Sequence, residues 1–252
     1  MPQLADRLAA AGFLSAGEEA QELRARAGAD KALLEKLVER RLAGEPLAWI
    51  VGSAAFCGLR IRVDRSVYVP RPHTEQLALR AAERLPAQGT AVDLCTGSGA
   101  VAAVLADRRP GATVIATDVD DRAVACARSN GVDARRGDLS APLGAARQGR
   151  VDVATAVVPY VPTAALGSLQ RDTFTYESAL AYDGGPDGTA ILRRALAKGR
   201  ALLRPGGALL LELGGDQAER LAGDLHRLGF GGVSVLADED GDVRGIEATP
   251  AG

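Results

Sequence analysis

Thr90-Ala91-Val92-Asp93-Leu94-Cys95-Thr96-Gly97-Ser98-Gly99-Ala100-Val101-Ala102 decides the fold. A short apolar run ends in a glycine loop, and the loop opens a helix. Glycines there let the backbone turn tightly and let a ligand approach the main chain at a helix N-terminus. Gly97 to Ala102 satisfies GxGxxA, and Asp118 follows Gly99 by 19 residues, at the end of the next apolar run. An acidic residue at that point suits both ribose hydroxyls of a nucleotide. On its own the pattern fits a dinucleotide-binding oxidoreductase almost as well as other nucleoside binders.

Outward from this loop, Ala91–Leu94, Thr113–Ala116, Val151–Val158 and Ala208–Glu212 are expected parallel strands, and 99–108, 121–130 and 188–203 have helical spacing. Such alternation predicts a doubly wound α/β sheet. Val233–Leu236 and Val243–Ala248 flank an Asp-Gly turn in the acidic run 238–242, so an antiparallel hairpin is expected last. That run reads as an exposed turn rather than a cation site.

Ahead of the loop, the first 44 residues read as short helices. Ser15 with Glu18 is a capping-box pattern. Asp30 caps a helix whose stripe is Leu33, Leu34, Leu37, Val38 and Leu42, stopped by Gly44. Leu59 to Val63 alternates as a strand, with Val67-Tyr68-Val69 as its expected partner, and a helix spans Thr74 to Leu85. The expected division is a helical domain over 1–50, a hairpin linker over 51–72 and a cofactor-binding domain over 73–252.

Composition excludes more than it names. The 252 residues carry a formal net charge of −2, which gives no electrostatic case for nucleic acid or an anionic membrane. Of the 30 Lys and Arg, 27 are arginine, which reflects GC-rich coding. Cys57, Cys95 and Cys126 form no CxxC, and His73 and His226 complete no metal cluster, so no metal site is expected. The N-terminus lacks a signal-peptide layout and no apolar run nears 18 residues; a cytoplasmic protein is the expectation. His226 reads as a surface residue, and Trp49 and Phe56 as packing between domains.

Asp93 separates the two nucleoside readings. A carboxylate at the loop mouth repels a pyrophosphate and suits a ligand carrying ammonium and sulfonium, as S-adenosylmethionine does. Asp138, in Arg136-Gly137-Asp138-Leu139, ends the next expected strand, placed to accept from an adenine amino group. The fourth strand runs into Val157-Val158-Pro159-Tyr160, where an acceptor would lie.

With Ala43-Gly44-Glu45-Pro46-Leu47, Val69-Pro70-Arg71-Pro72-His73-Thr74-Glu75, Asp183-Gly184-Gly185-Pro186-Asp187-Gly188, Arg204-Pro205-Gly206-Gly207 and Leu211-Glu212-Leu213-Gly214, these motifs run almost end to end. The chain resembles the HemK-type protein-(glutamine-N5) methyltransferases, which modify peptide chain release factors. The resemblance implies a class I (Rossmann-like) methyltransferase fold, a mostly parallel seven-stranded sheet with a terminal antiparallel hairpin, and a small N-terminal helical domain that docks a protein substrate. It implies S-adenosyl-L-methionine contacts from Cys95, Thr96, Gly97, Ser98, Gly99, Asp118 and Leu139; Asp93, Asp138 and Val157 join them on the reading of the residues, with Val158, Pro159 and Tyr160 expected to position the acceptor.

Three departures stand out. The family's Asn-Pro-Pro-Tyr reads Val157-Val158-Pro159-Tyr160 here. An amide nitrogen is a poor nucleophile and needs both its N–H bonds accepted; losing one positioned group costs about 2.7–4 kcal/mol of barrier. The region before Gly44 is shorter than the family's usual helical domain. His73 replaces a common acidic residue, and either acts as general base or is a partly exposed loop residue. An amine or hydroxyl on a small molecule is thus an alternative acceptor, and a non-catalytic cofactor-binding module a further reading.

Overall fold

The computed structural model describes residues 4–168 and 176–251. Helices α1 (Leu4–Ala10), α2 (Ala16–Ala27), α3 (Lys31–Leu42) and α4 (Leu47–Val51) come first. They share an apolar cluster of Leu4, Leu8, Leu23, Leu37, Val38 and Ile50. Asp30 caps α3, its side chain accepting from Leu33 N at 2.9 Å. Ser15 precedes α2 but makes no side-chain cap, and its ψ of 36° departs from the extended capping geometry. The expected capping box does not form. The α3 stripe is also narrower than expected, since Leu33 and Leu42 are exposed. Arg41 is buried instead, paired with Glu19 at 2.6 Å and lying 3.8 Å over the Phe13 ring.

Strands β1 (Ser53–Phe56) and β2 (Leu59–Arg62) form an antiparallel hairpin. Val67 to Val69 is not a strand; β1 is the partner, because the tight turn at Cys57 and Gly58 brings it directly alongside β2. The hairpin exit is strapped to the main domain. Asn130 Nδ2 donates to both Arg62 O and Ser98 O, at 2.9 and 2.8 Å.

The large domain alternates α5 (Thr74–Arg84), β3 (Thr90–Leu94), α6 (Ala100–Arg108), β4 (Thr113–Asp118), α7 (Asp121–Ser129), β5 (Asp133–Arg136), β6 (Val151–Ala156), α8 (Ala190–Leu202), β7 (Leu203–Glu212), α9 (Gln217–Arg227), β8 (Phe230–Ala237) and β9 (Val243–Pro250). Its seven-stranded sheet has the order β5-β4-β3-β6-β7-β9-β8, parallel except at β9. The acidic run is the β8–β9 turn, where Asp238 N donates to Asp242 O and Gly241 has a φ of 86°. Two apolar clusters fill the two faces: Leu94, Val158, Leu192 and Leu211 on one, Ala78, Val101, Val153 and Leu210 on the other.

Two strand ends differ from expectation. β6 stops at Ala156, so Val157 and Val158 belong to the loop that follows. β7 begins at Leu203, ahead of Pro205-Gly206-Gly207, with an irregular register against Val151 and Val153. Strand order runs outward through β4 and β5 on one side of β3 and through β7 on the far side of β6. The switch point therefore lies between β3 and β6, and ligands bind beyond the carboxyl ends of strands at such a crevice.

Candidate active site

The loop after β3 is held by its neighbours on both sides. Cys95, Gly97 and Gly99 all take positive φ, at 57°, 56° and 82°. A side chain on Gly99 would place its Cβ 2.9 Å from that of Ala127, so glycine lets α6 start against α7. Thr96 N donates to Thr117 O at 3.0 Å, tying the loop to β4. Asp118 Oδ2 accepts from Gly97 N at 2.9 Å and Oδ1 from Asp120 N at 3.0 Å.

Asp93 behaves differently from the expectation of a carboxylate facing the cofactor. It is buried, with Oδ2 accepting from Thr96 Oγ1 at 2.6 Å and Oδ1 from Thr155 Oγ1 at 2.7 Å. It braces the loop through Thr96 and ties it to β6 through Thr155. Burial pushes its carboxyl up to about 6, against the two hydroxyls, and Asp118 adds to the rise. The folded protein thus holds this proton more tightly than the unfolded chain. That stabilisation is complete below about pH 4 and lost as pH rises through about 6. Asp93→Asn is expected to flatten the stability profile across that window by about 2–3 kcal/mol, read from urea midpoints at several pH values. An unchanged profile would contradict the assignment.

Asp138 is exposed and paired with Arg194 of α8. The expected role toward an adenine amino group therefore needs this ion pair to open or to share the carboxylate. Leu139 is buried in left-handed backbone at φ 48°, packed with the cluster that contains Leu94 and Val158. Burial and the nearby carboxylates of Asp118, Asp93 and Asp138 push the Cys95 thiol well up.

Beyond β6, the segment that ends in Tyr160 is clamped by its neighbours. A Cβ at Gly184 would stand 2.7 Å from Tyr160 Cα, and one at Gly188 2.4 Å from Tyr160 O. Gln217 Nε2 donates to Tyr160 O at 2.8 Å and to Gly188 O at 3.2 Å, while Gln217 Oε1 accepts from Gly214 N. The segment 183–188 therefore fixes the backbone of Tyr160. Val158 is buried with the α8-side cluster, Val157 packs toward the α5-side cluster, and Pro159 is half-buried.

Sequence reasoning missed the polar cluster in front of this segment. Glu212, at the end of β7, is 1% exposed and lies among Thr74, Tyr160 and His73. Thr74 Oγ1 donates to Glu212 Oε2 at 2.6 Å and Tyr160 OH to Oε1 at 3.3 Å. His73 Nε2 lies 3.4 Å from Oε1 without an aligned hydrogen bond. A carboxylate closing an apolar strand was the available signal. Tyr68, edge-on to Tyr182 at 5.6 Å, and Arg71, bonded to Glu177 at 2.6 Å, were also missed. Glu177 ties the 176–182 segment to Val69 N as well.

The loop discriminates between cofactors. In a dinucleotide site the glycine-loop amides face a pyrophosphate. Here Gly97 N–H is already donated to the Asp118 carboxylate, and Asp93 lies beneath it. An anion is disfavoured there, whereas a cationic nucleoside fits. No group able to hold a metal ion occurs among the described residues.

The fold and this loop define a class I methyltransferase that uses S-adenosylmethionine. The methyltransferase small domain model matches residues 74–141. A release factor glutamine methyltransferase from Cereibacter sphaeroides is 38% identical, over 96% of this chain and 94% of that protein. One from Geobacter sulfurreducens is 37% identical, over 81% and 73%. The chain belongs to the release factor glutamine methyltransferase family. Among solved structures, the hMettl16 catalytic domain in complex with a MAT2A 3′UTR hairpin has a TM-score of 0.62 at 15% identity, covering 82% of this chain and 80% of that one. The ribosomal protein L11 methylase from Lactobacillus delbrueckii subsp. bulgaricus has 0.53 at 19%, covering 76% and 86%. These two likenesses concern the fold.

Proposed function

We propose that this protein methylates the side-chain amide nitrogen of a glutamine in a peptide chain release factor. The observation that carries this reading is the clamp on Tyr160: Gly184, Gly188 and Gln217 hold its backbone in place beyond β6, at the switch point. A planar amide needs such a fixed backbone, because its nitrogen attacks only when oriented. The Val158 carbonyl accepts one N–H, and Pro159 and Tyr160 pack on the amide plane.

Bound at the loop, S-adenosylmethionine supplies a methyl group on a sulfonium. The backbone from Cys95 to Gly99 lines its methionine end and Asp118 takes the ribose hydroxyls. Leu139, Asp138 and Val157 border the adenine and the methyl path. In this reading helices 1–50 dock the release factor, 51–72 link them and 73–252 carry the chemistry. The segment 176–182 touches both parts, since Tyr176 OH donates to Ala43 O at 2.9 Å and its ring meets Trp49 edge-on. No described helix is long and apolar enough to cross a membrane.

Incubation with radiolabelled methyl donor, a purified release factor and a fractionated cell extract tests this. Label on the release factor supports the reading. Label confined to the small-molecule fraction shows a different acceptor, and binding of S-adenosylhomocysteine with no label anywhere shows a non-catalytic module.

A further inference from the structure

The Val157 side chain carries no hydrogen-bond acceptor, so an amide bound by the Val158 carbonyl has one N–H without a side-chain partner there. The sheet register shows what lies at the same end of the next strand. β6 and β7 pair in parallel as far as Ala156 and Leu211, and Val157 and Glu212 are the residues that follow this last pair on the two chains. Successive residues of an extended chain alternate faces, so these two leave the face that Ala156 and Leu211 share. Val157 packs toward the α5-side cluster, and Glu212 bonds Thr74 at the start of α5, so both lie on the α5 side.

The two oxygens of Glu212 are unequal. Oε2 is taken by the Thr74 hydroxyl at 2.6 Å. Oε1 has only the Tyr160 hydroxyl at 3.3 Å and His73 Nε2 at 3.4 Å, the latter not aligned as a hydrogen bond. A buried carboxylate oxygen with contacts this long retains accepting capacity, and it shares Tyr160 with the acceptor segment. A charged acceptor is also stronger than an amide oxygen.

Resting on the proposed glutamine acceptor, we infer that Glu212 Oε1 is the second N–H acceptor of the substrate amide, standing in for the side chain that Val157 lacks. Methyl transfer forms the N–C bond with the nitrogen's electron pair, leaves the former S–C pair on sulfur and releases one proton from nitrogen. Glu212 Oε1 receives that proton.

Glu212→Gln keeps the shape and removes the charge. The release-factor kcat is expected to fall on the order of 20-fold or more. Affinity for S-adenosylhomocysteine, by calorimetry, should stay within about threefold, since Glu212 does not touch the glycine loop. Release-factor affinity, measured with S-adenosylhomocysteine present, should weaken with kcat. Adding Val157→Asn in the Glu212→Gln background should restore most of the rate, and by a larger factor than the same change gives in the wild type. Undiminished turnover in Glu212→Gln would overturn the role of Glu212, as would failure of asparagine at 157 to rescue it while cofactor binding is intact. No transfer by the wild-type enzyme would instead defeat the proposed acceptor itself.

Discussion

Gly188→Ala is expected to lower methyl transfer by about two orders of magnitude, since a displacement near 1 Å at a reacting centre costs roughly that much. Gly188 sits at φ +74°, where a non-glycine residue is strained, and its added Cβ would meet Tyr160 O at 2.4 Å and Gln217 Nε2 at 2.9 Å. The glycine cannot yield without moving backbone, so the Tyr160 carbonyl shifts and its bond from Gln217 breaks. The Val158 carbonyl, two residues earlier, moves with it. None of these contacts reaches Asp93, Gly97 or Asp118, so affinity for S-adenosylhomocysteine should change by no more than about threefold. Single-turnover rates and calorimetry on one preparation separate the effects. A loss of cofactor binding equal to the loss of rate would show that the clamp serves the whole crevice. An unaltered rate would show that Tyr160 does not position the acceptor.

Asp118→Ala acts on the opposite half of the crevice. Its carboxylate holds Gly97 N and Asp120 N, and in the proposed complex it accepts from the ribose. Burial raises its carboxyl, and the backbone amides of Asp120 and Gly97 work against that rise. Hydrogen bonds to a charged group are worth about 1.5–3 kcal/mol each. The expected loss of S-adenosylhomocysteine affinity is therefore about 100-fold, with added looseness in the loop. Asp138→Ala is the comparison. That residue is exposed and already paired with Arg194, so its loss should cost about tenfold at most. Equal effects at the two positions would contradict the division of roles.

Local periodicity made the parallel sheet, the glycine loop and the final hairpin legible, because each depends on residues within one turn or strand. The position of Asp118 at the end of β4 was legible for the same reason, since it depends only on that strand. The direction of Asp93 was not, because it depends on Thr155, 62 positions away on the next strand. Nor was the pairing of Asp138 with Arg194, 56 positions on. Glu212 was visible only as part of a motif. Its partners Thr74 and Tyr160 lie 138 and 52 positions off, and its place one residue past the last β6–β7 pair is set by the sheet. The capping box failed for a different reason. A local side-chain bond competes weakly with tertiary packing, and Glu19, rather than Glu18, is drawn into the pair with Arg41.

Mass spectrometry of a purified release factor after reaction with the enzyme and isotopically labelled S-adenosylmethionine tests the proposed activity most directly. One labelled methyl on a single glutamine side-chain amide, formed about a hundredfold more slowly when the enzyme carries Gly188→Ala, is the predicted result. A release factor without label at any glutamine, alongside an enzyme that binds S-adenosylhomocysteine normally, would contradict it.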